Sequence, residues 1–306
     1  MKRRDFMRTG LVAGTGALAS TTPLASQATP RQEAHDFKLK YAPHFGMFES
    51  SAGDDLMDQI QFMADVGFKA MEDNRMMGRE VETQEAIGEE LKRLGMTMGV
   101  FVIDKGGNGA NSLAAGEQEY VDVFLDGCRR AVDVAQRVGA TWMTVVPGNF
   151  VRELPMGIQT SNVVDALRKG AEIFEPHNLV MVLEPLSDTP DLFLRYSDQT
   201  YEICKAVNSP SCKILFDIYH MQKNEGNLIT NMERTWDEIA YIQIGDNPGR
   251  KEPTTGEINY KNVFKWIHEQ GYEGVLGMEH GNAQRGEQGE QALIAAYAEV
   301  DDFTTS

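Results

Sequence analysis

A single closed (β/α)8 barrel is the fold this chain predicts, and three observations predict it. From residue 37 onward, strand-like apolar runs alternate with amphipathic helical stretches, the order that gives a parallel sheet with crossover helices. Four runs in the second half are continuously apolar rather than alternating: Val180-Met-Val-Leu-Glu184, Ile214-Leu-Phe-Asp217, Tyr241-Ile-Gln-Ile-Gly-Asp246 and Val275-Leu-Gly-Met-Glu279. Strands buried on both faces read that way. Each run also ends on an acid, and in a closed barrel the strand ends converge on the face that carries the active site.

Taken in order, the pattern places strands at residues 39–45, 69–72, 97–103, 142–146, 180–184, 213–217, 241–244 and 275–279. Helical stretches fall between them at 54–66, 83–94, 117–138, 162–174, 196–207, 228–238 and 260–269. Gly67, Gly95, Gly139 and Gly271 each stand just before a strand, where glycine supplies the left-handed cap that ends a helix. Eight such units point to a TIM barrel, an α/β fold in one domain, rather than an open doubly wound sheet. No G-x-G-x-x-G follows a strand, so the dinucleotide fold lacks its main signal. Gly106-Gly107-Asn108-Gly109 is a flexible loop after the third strand and lacks the Lys-Ser/Thr pair of a phosphate loop.

The barrel is expected to span residues 37–303, with residues 29–36 as a linker. Residues 1–28 read as an address label. Lys2-Arg3-Arg4-Asp5-Phe6-Met7-Arg8 is a basic segment with paired arginines, followed by a mild Gly/Ala-rich apolar stretch and by Ser26-Gln27-Ala28 as a cleavage site. Together these match a twin-arginine signal peptide, and they predict a periplasmic or exported protein. The stretch is too short and too glycine-rich to span a bilayer, and no stable membrane association is expected.

A net charge of −17 argues against nucleic acid as a partner, because such binding relies on clustered Lys and Arg. Cys128, Cys204 and Cys212 form no C-x-x-C pair. They read as buried small residues rather than a disulfide framework or a zinc site. The oligomeric state is left open, a homo-oligomer included.

The chemistry sits at the strand ends. Glu184, Asp217 and Glu279 close the fifth, sixth and eighth strands, and Gln243 lies within the seventh. Carboxylates crowded at one mouth repel unless a cation neutralises them. An all-oxygen set of three carboxylates and an amide suits Mg²⁺ or Mn²⁺. His220 follows Asp217 by three residues and is expected in the loop above the mouth, as a partner to a substrate oxygen or as a ligand. His44 is a candidate wall residue at the end of the first strand, and His280 a candidate to orient Glu279. Arg250 reads either as a two-point partner for a carboxylate or as a surface ion pair with Glu252.

The stretch from Gln243 to Tyr260, with Gly245-Asp246-Asn247-Pro248-Gly249-Arg250 and Gly256-Glu257, resembles the hallmark segment of the hydroxypyruvate isomerase family. That family belongs to the xylose-isomerase-like barrels of the sugar phosphate isomerase/epimerase superfamily. Leu183-Glu184-Pro185, Phe216-Asp217-Ile-Tyr-His220 and Met278-Glu279-His280 are similar to the same family's motifs on strands five, six and eight. The resemblance runs over about residues 39–300. It implies a divalent metal held by Glu184, Asp217, Gln243 and Glu279, with Glu184 and Glu279 doubling as acid/base groups. His220 and Arg250 would hold substrate oxygens, and Glu72 would steady the mouth from strand two. Three positions depart from the family pattern. Tyr41-Ala-Pro-His44-Phe45 stands for a more Asn/Ser-like start, Ser187 for a common Asn, and Lys251 for a common His.

The expected activity is isomerisation of a small α-hydroxy carbonyl compound through an enediolate. One glutamate removes a carbon-bound proton and a glutamate returns it. Return to the neighbouring carbon isomerises. Return to the opposite face of the same carbon epimerises, so a ketose or keto-sugar 3-epimerase is the near alternative. A non-catalytic exported sugar-binding barrel is the alternative from another class.

Overall fold

A computed structural model describes residues 34–304. The expected signal peptide and the first part of the expected linker lie outside them. The strands are β1 (Lys40–Ala42), β2 (Ala70–Met71), β3 (Thr97–Met98), β4 (Phe101–Val102), β5 (Trp142–Val145), β6 (Val180–Leu183), β7 (Cys212–Asp217), β8 (Ile239–Gln243) and β9 (Val275–Gly277). All paired strands are parallel. The first strand pairs with the last, Lys40 opposite Val275 and Ala42 opposite Gly277. β2 joins β1 through a bridge between His44 and Glu72, with Glu72 N–H donating to the Pro43 carbonyl at 3.0 Å.

The third strand differs from expectation. Residues 97–103 are not one continuous strand: β3 pairs with β2, the chain shifts at Gly99-Val100, and β4 pairs with β5. Glycine inside a strand weakens the ladder and marks a close approach of another group. A side chain on Gly99 would overlap the hydroxyl of Tyr241, which reaches across the barrel interior.

Around the strands run α1 (Glu49–Ala52), α2 (Leu56–Val66), α3 (Val81–Leu94), α4 (Gln118–Val138), α5 (Met156–Phe174), α6 (Ser197–Val207), α7 (Ile218–Asn224), α8 (Leu228–Thr235), α9 (Tyr260–Glu269) and α10 (Gly286–Asp301). Asp55 caps α2 by accepting from the Met57 and Asp58 amides. Gly67, Gly95 and Gly139 end α2, α3 and α4 in the left-handed region, and Gly271 follows α9 in the same conformation. In α4 the buried positions Val121, Phe124, Cys128, Ala131, Ala135 and Val138 recur at three- and four-residue steps, the stripe that docks a helix on a sheet. All three cysteines are free and buried.

Two layers of core result. Ala42, Ala70, Val100, Val182, Leu215, Tyr241 and Val275 fill the barrel interior, one residue from each of seven staves, as a packed barrel requires. A larger apolar shell lies between strands and helices. No helix among the described residues is long and apolar enough to cross a membrane.

Candidate metal and substrate site

At the C-terminal mouth, β6 delivers Glu184, β7 ends on Asp217, β8 ends on Gln243, and Glu279 stands two residues past β9. Ligand atoms of Glu184, Asp217, His220 and Glu279 all lie within 4.8 Å of one another. Asp217, His220 and Gln243 are sealed from solvent, Glu184 nearly so, and the Glu279 side chain is 25% exposed. Asp246, the acid that closes the third apolar run, does not join them. Its carboxylate accepts from the amides of Asn247, Gly256 and Ile258 and so organises the loop after β8.

His220 is not in a loop, as its position in the sequence suggested. It lies in the first turn of α7, whose N-cap is Asp217: the Asp217 carboxylate accepts from the His220 amide at 3.1 Å. Capping and site chemistry thus share one side chain. The ring's protonation follows from its partners. His220 Nδ1 meets the Ser187 N–H at 3.1 Å and the Ser187 hydroxyl at 2.8 Å. An amide can only donate, so Nδ1 accepts and the proton of the neutral ring belongs on Nε2. Burial lowers the imidazole's pKa, which favours that neutral form. Nε2 lies 3.7 Å from Asp217 and 3.9 Å from Glu184, a donor aimed into the pocket rather than a lone pair for a metal.

Arg250 reaches the same pocket and does not pair with Glu252. Its Nη2 donates to Glu279 at 2.7 Å and faces Asp217 at 3.4 Å, its Nε donates to the Glu279 carbonyl, and its guanidinium lies over the Tyr219 ring. Glu252 is buried and accepts from the Ala283 amide. His44 contacts the carbonyls of Phe45 and His280 and lines a cavity of about 300 Å³ together with Glu72, Asn74, Arg75 and Glu279. His280 is turned away from Glu279: its Nε2 meets the Tyr297 hydroxyl at 2.7 Å and its Nδ1 the Gly281 carbonyl.

Glu72 lies beneath the cluster. It accepts from the Tyr241 hydroxyl at 2.9 Å and from the Gln243 amide nitrogen at 3.4 Å. Gln243 therefore presents its Oε1 elsewhere, and that oxygen is buried without a partner, as are Glu184 Oε1 and His220 Nε2. Buried polar atoms left unpaired are costly, and these come from residues of one mouth. Burial raises the Glu184 carboxyl well above its usual range, with the charges of Glu279 and Asp217 adding to the effect. Burial likewise pushes Glu279 up to about 8, against the opposing pull of Arg250. Three carboxylates share one guanidinium, so the pocket favours protons or a further cation. Carboxylate and amide oxygens fit a hard divalent ion and do not fit a thiol-seeking one.

Two residues of the site escaped the sequence reading. Asn74 donates to Glu279 Oε1 at 2.8 Å, and its only sequence signal was its place two residues beyond Glu72. Ser187 sets the tautomer of His220, although at the level of sequence it registered only as a departure from a family pattern.

The profile of the xylose isomerase-like TIM barrel family matches residues 60–299. The chain belongs to that family. Within it, the chain is 33% identical over 183 residues to hydroxypyruvate isomerase of Escherichia coli, covering 56% of this chain and 69% of the relative. It is 28% identical over 228 residues to 2-oxo-tetronate isomerase of Cupriavidus necator, covering 73% of this chain and 86% of the relative. Among solved structures, a family 2 AP endonuclease from Brucella melitensis superposes with a TM-score of 0.70 at 22% identity, covering 82% and 96% of the two chains. A 3-keto-D-glucoside 4-epimerase from E. coli gives 0.70 at 19%, covering 86% and 98%. These two neighbours share the barrel and differ in named activity, so the xylose isomerase-like fold does not choose the chemistry. The site residues must.

Proposed function

We propose that this protein is an isomerase that moves a carbon-bound proton on a small α-hydroxy carbonyl compound, with a divalent metal, Mg²⁺ or Mn²⁺, as cofactor. The observation that carries the proposal is the pairing of Glu184 and Glu279 around Asp217 in one largely buried pocket. The likeness to hydroxypyruvate and 2-oxo-tetronate isomerases supports the reaction class.

Glu184, Asp217, Gln243 and Glu279 would hold the metal. When bound, it would supply Lewis acidity that makes the proton beside the substrate carbonyl easier to remove. The remaining work belongs to the chain. Glu184, whose Oε1 has no hydrogen-bond partner, takes the proton. Glu279, steadied by Asn74 and Arg250, faces the substrate from its own side and returns a proton. His220 Nε2–H donates to a substrate oxygen, and Arg250 offsets the charge that develops near Glu279.

The experiment is solvent exchange in heavy water with metal supplied, over a panel of hydroxy keto acids and keto-sugars. Deuterium should enter at the carbon beside the carbonyl. Product analysis then separates a moved carbonyl from an inverted centre, which decides between isomerase and 3-epimerase. If no compound exchanges, the isomerase proposal falls and a non-catalytic sugar-binding barrel takes its place.

A further inference from the structure

Arg250 was the sequence's candidate partner for a substrate carboxylate, yet in the structure its guanidinium is engaged by Glu279 and Asp217. Two cations outside that network share a neighbouring cavity. Arg75 and Lys105 line a second cavity of about 330 Å³, and Asn74 and Arg75 also line the cavity that holds Glu72 and Glu279. Asn74 therefore stands between the two spaces while donating to Glu279. We propose that this second cavity is a carboxylate subsite, in which Lys105 and Arg75 bind the acidic end of a hydroxy keto acid whose reacting carbons lie between Glu184 and Glu279. The identity of the bound acid as a substrate rests on the isomerase reading; the subsite itself does not.

Lys105 is the buried cation of this cavity. Its residue is only 4% exposed, and its Nζ donates to two neutral acceptors, the carbonyls of Gly107 at 3.2 Å and Ala110 at 2.5 Å. It makes no ion pair among the described residues, and neither does Arg75. A buried ammonium without a counter-charge is expensive to keep, and burial pushes this one down to about 8. In a chain of net charge −17, two unpaired cations on one small cavity stand out. Asp104 is the single acid on its wall, and its carboxylate is taken up by Arg130 at 3.8 Å and the Gly106 amide at 3.0 Å. Val102, Ile103, Val146 and Met77 supply apolar walls, which strengthen any charge-assisted contact made there.

The glycine-rich loop that matched no phosphate motif acquires a use. Gly106 and Gly107 have φ of +92° and +108°, which turns the chain so that the carbonyls of Gly107 and Ala110 meet the ammonium. A Cβ on Gly107 would contact nothing within 4 Å, so glycine is needed there for the backbone and not for room. Two adjoining cavities also offer more length than a three-carbon acid uses, which favours an acid of four or more carbons.

The test compares a matched pair that differs only in the charged end: a four-carbon hydroxy keto acid and erythrulose. The metal-loaded full chain, Arg75→Gln and Lys105→Met are assayed by solvent exchange. Calorimetry of the non-reacting pair threonate and threitol is run alongside. The wild-type protein should favour the acid in both assays. Either substitution should lower the ratio of acid to neutral compound by about tenfold, the size of one lost charge-assisted contact. Arg75 is exposed, so its variant keeps the test valid if the buried lysine variant fails to fold. A preference for the acid that survives both substitutions, or equal losses on acid and neutral compound, overturns the subsite. If wild type exchanges neither compound, the threonate and threitol affinities alone decide the subsite, and the wider panel decides the isomerase reading.

Discussion

Glu279 has both carboxylate oxygens engaged, by Asn74 and by Arg250, whereas Glu184 keeps Oε1 without a partner. Glutamine at either position preserves volume and one oxygen while removing the group that accepts a proton. Glu184→Gln and Glu279→Gln should both stay folded by circular dichroism and lose exchange by about 10² to 10⁴, the usual contribution of a general base. Wild-type exchange in both variants with a confirmed substrate would end the two-glutamate mechanism. At this scale the sequence exposed the strand-end acids well, because an acid closing an apolar run is visible one strand at a time. It misplaces His220 because Asp217 carries two signals at once, a strand-end acid and the N-cap of a short helix. Asn74 stayed hidden because its partner, Glu279, is 205 residues away in the chain.

β9 is short and ends on Gly277, opposite Gln243 of β8. A side chain on Gly277 would overlap the carboxylate of Glu72, which the Tyr241 hydroxyl and the Gln243 amide also hold. Gly99 keeps clear the space that Tyr241 needs from the opposite side. Two glycines, one in β9 and one between β3 and β4, thus make room for one buried acid and the tyrosine that holds it. Gly277→Ala should destabilise the protein by about 1–3 kcal/mol, the usual cost of overpacking, measured by urea unfolding. The cost should shrink when Glu72 is also replaced by Ala, because the clash then has no partner. Additive effects of the two substitutions would show that the glycine serves something other than Glu72. The sequence displayed both glycines inside apolar runs but not their purpose. Helices with caps and long apolar stripes, such as α4, were legible, while α7 and α10 were not among the expected elements. α7 is only seven residues long, and the 16 residues of α10 include several alanines, which leave a weak apolar stripe.

Closure of the barrel depends on β1 meeting β9, 235 residues apart at Lys40 and Val275, a pairing that no local pattern encodes and that followed only from counting eight units. The export expectation is also a property of the whole chain. Replacing Arg3 and Arg4 by lysine should leave the full-length protein in the cytoplasm, as judged by fractionation, and unchanged export would overturn the twin-arginine reading. The broadest consequence concerns charge. The folded chain brings three carboxylates and one guanidinium into a pocket that unfolding disperses, within a molecule of net charge −17. A cation that binds only the folded state stabilises it by about 2.7 kcal/mol at a hundredfold excess over its dissociation constant. Adding Mg²⁺ or Mn²⁺ to chelator-treated protein should therefore raise the thermal midpoint by several degrees. Sodium chloride at matched ionic strength should do much less, since screening acts on the whole acidic surface and not on this pocket. Asp217→Asn keeps an acceptor for the α7 cap while removing one charge, so it should fold and lose most of the divalent response. A response of equal size in wild type and Asp217→Asn would place the ion elsewhere on the acidic surface, and no response in wild type would remove the metal from the proposed function.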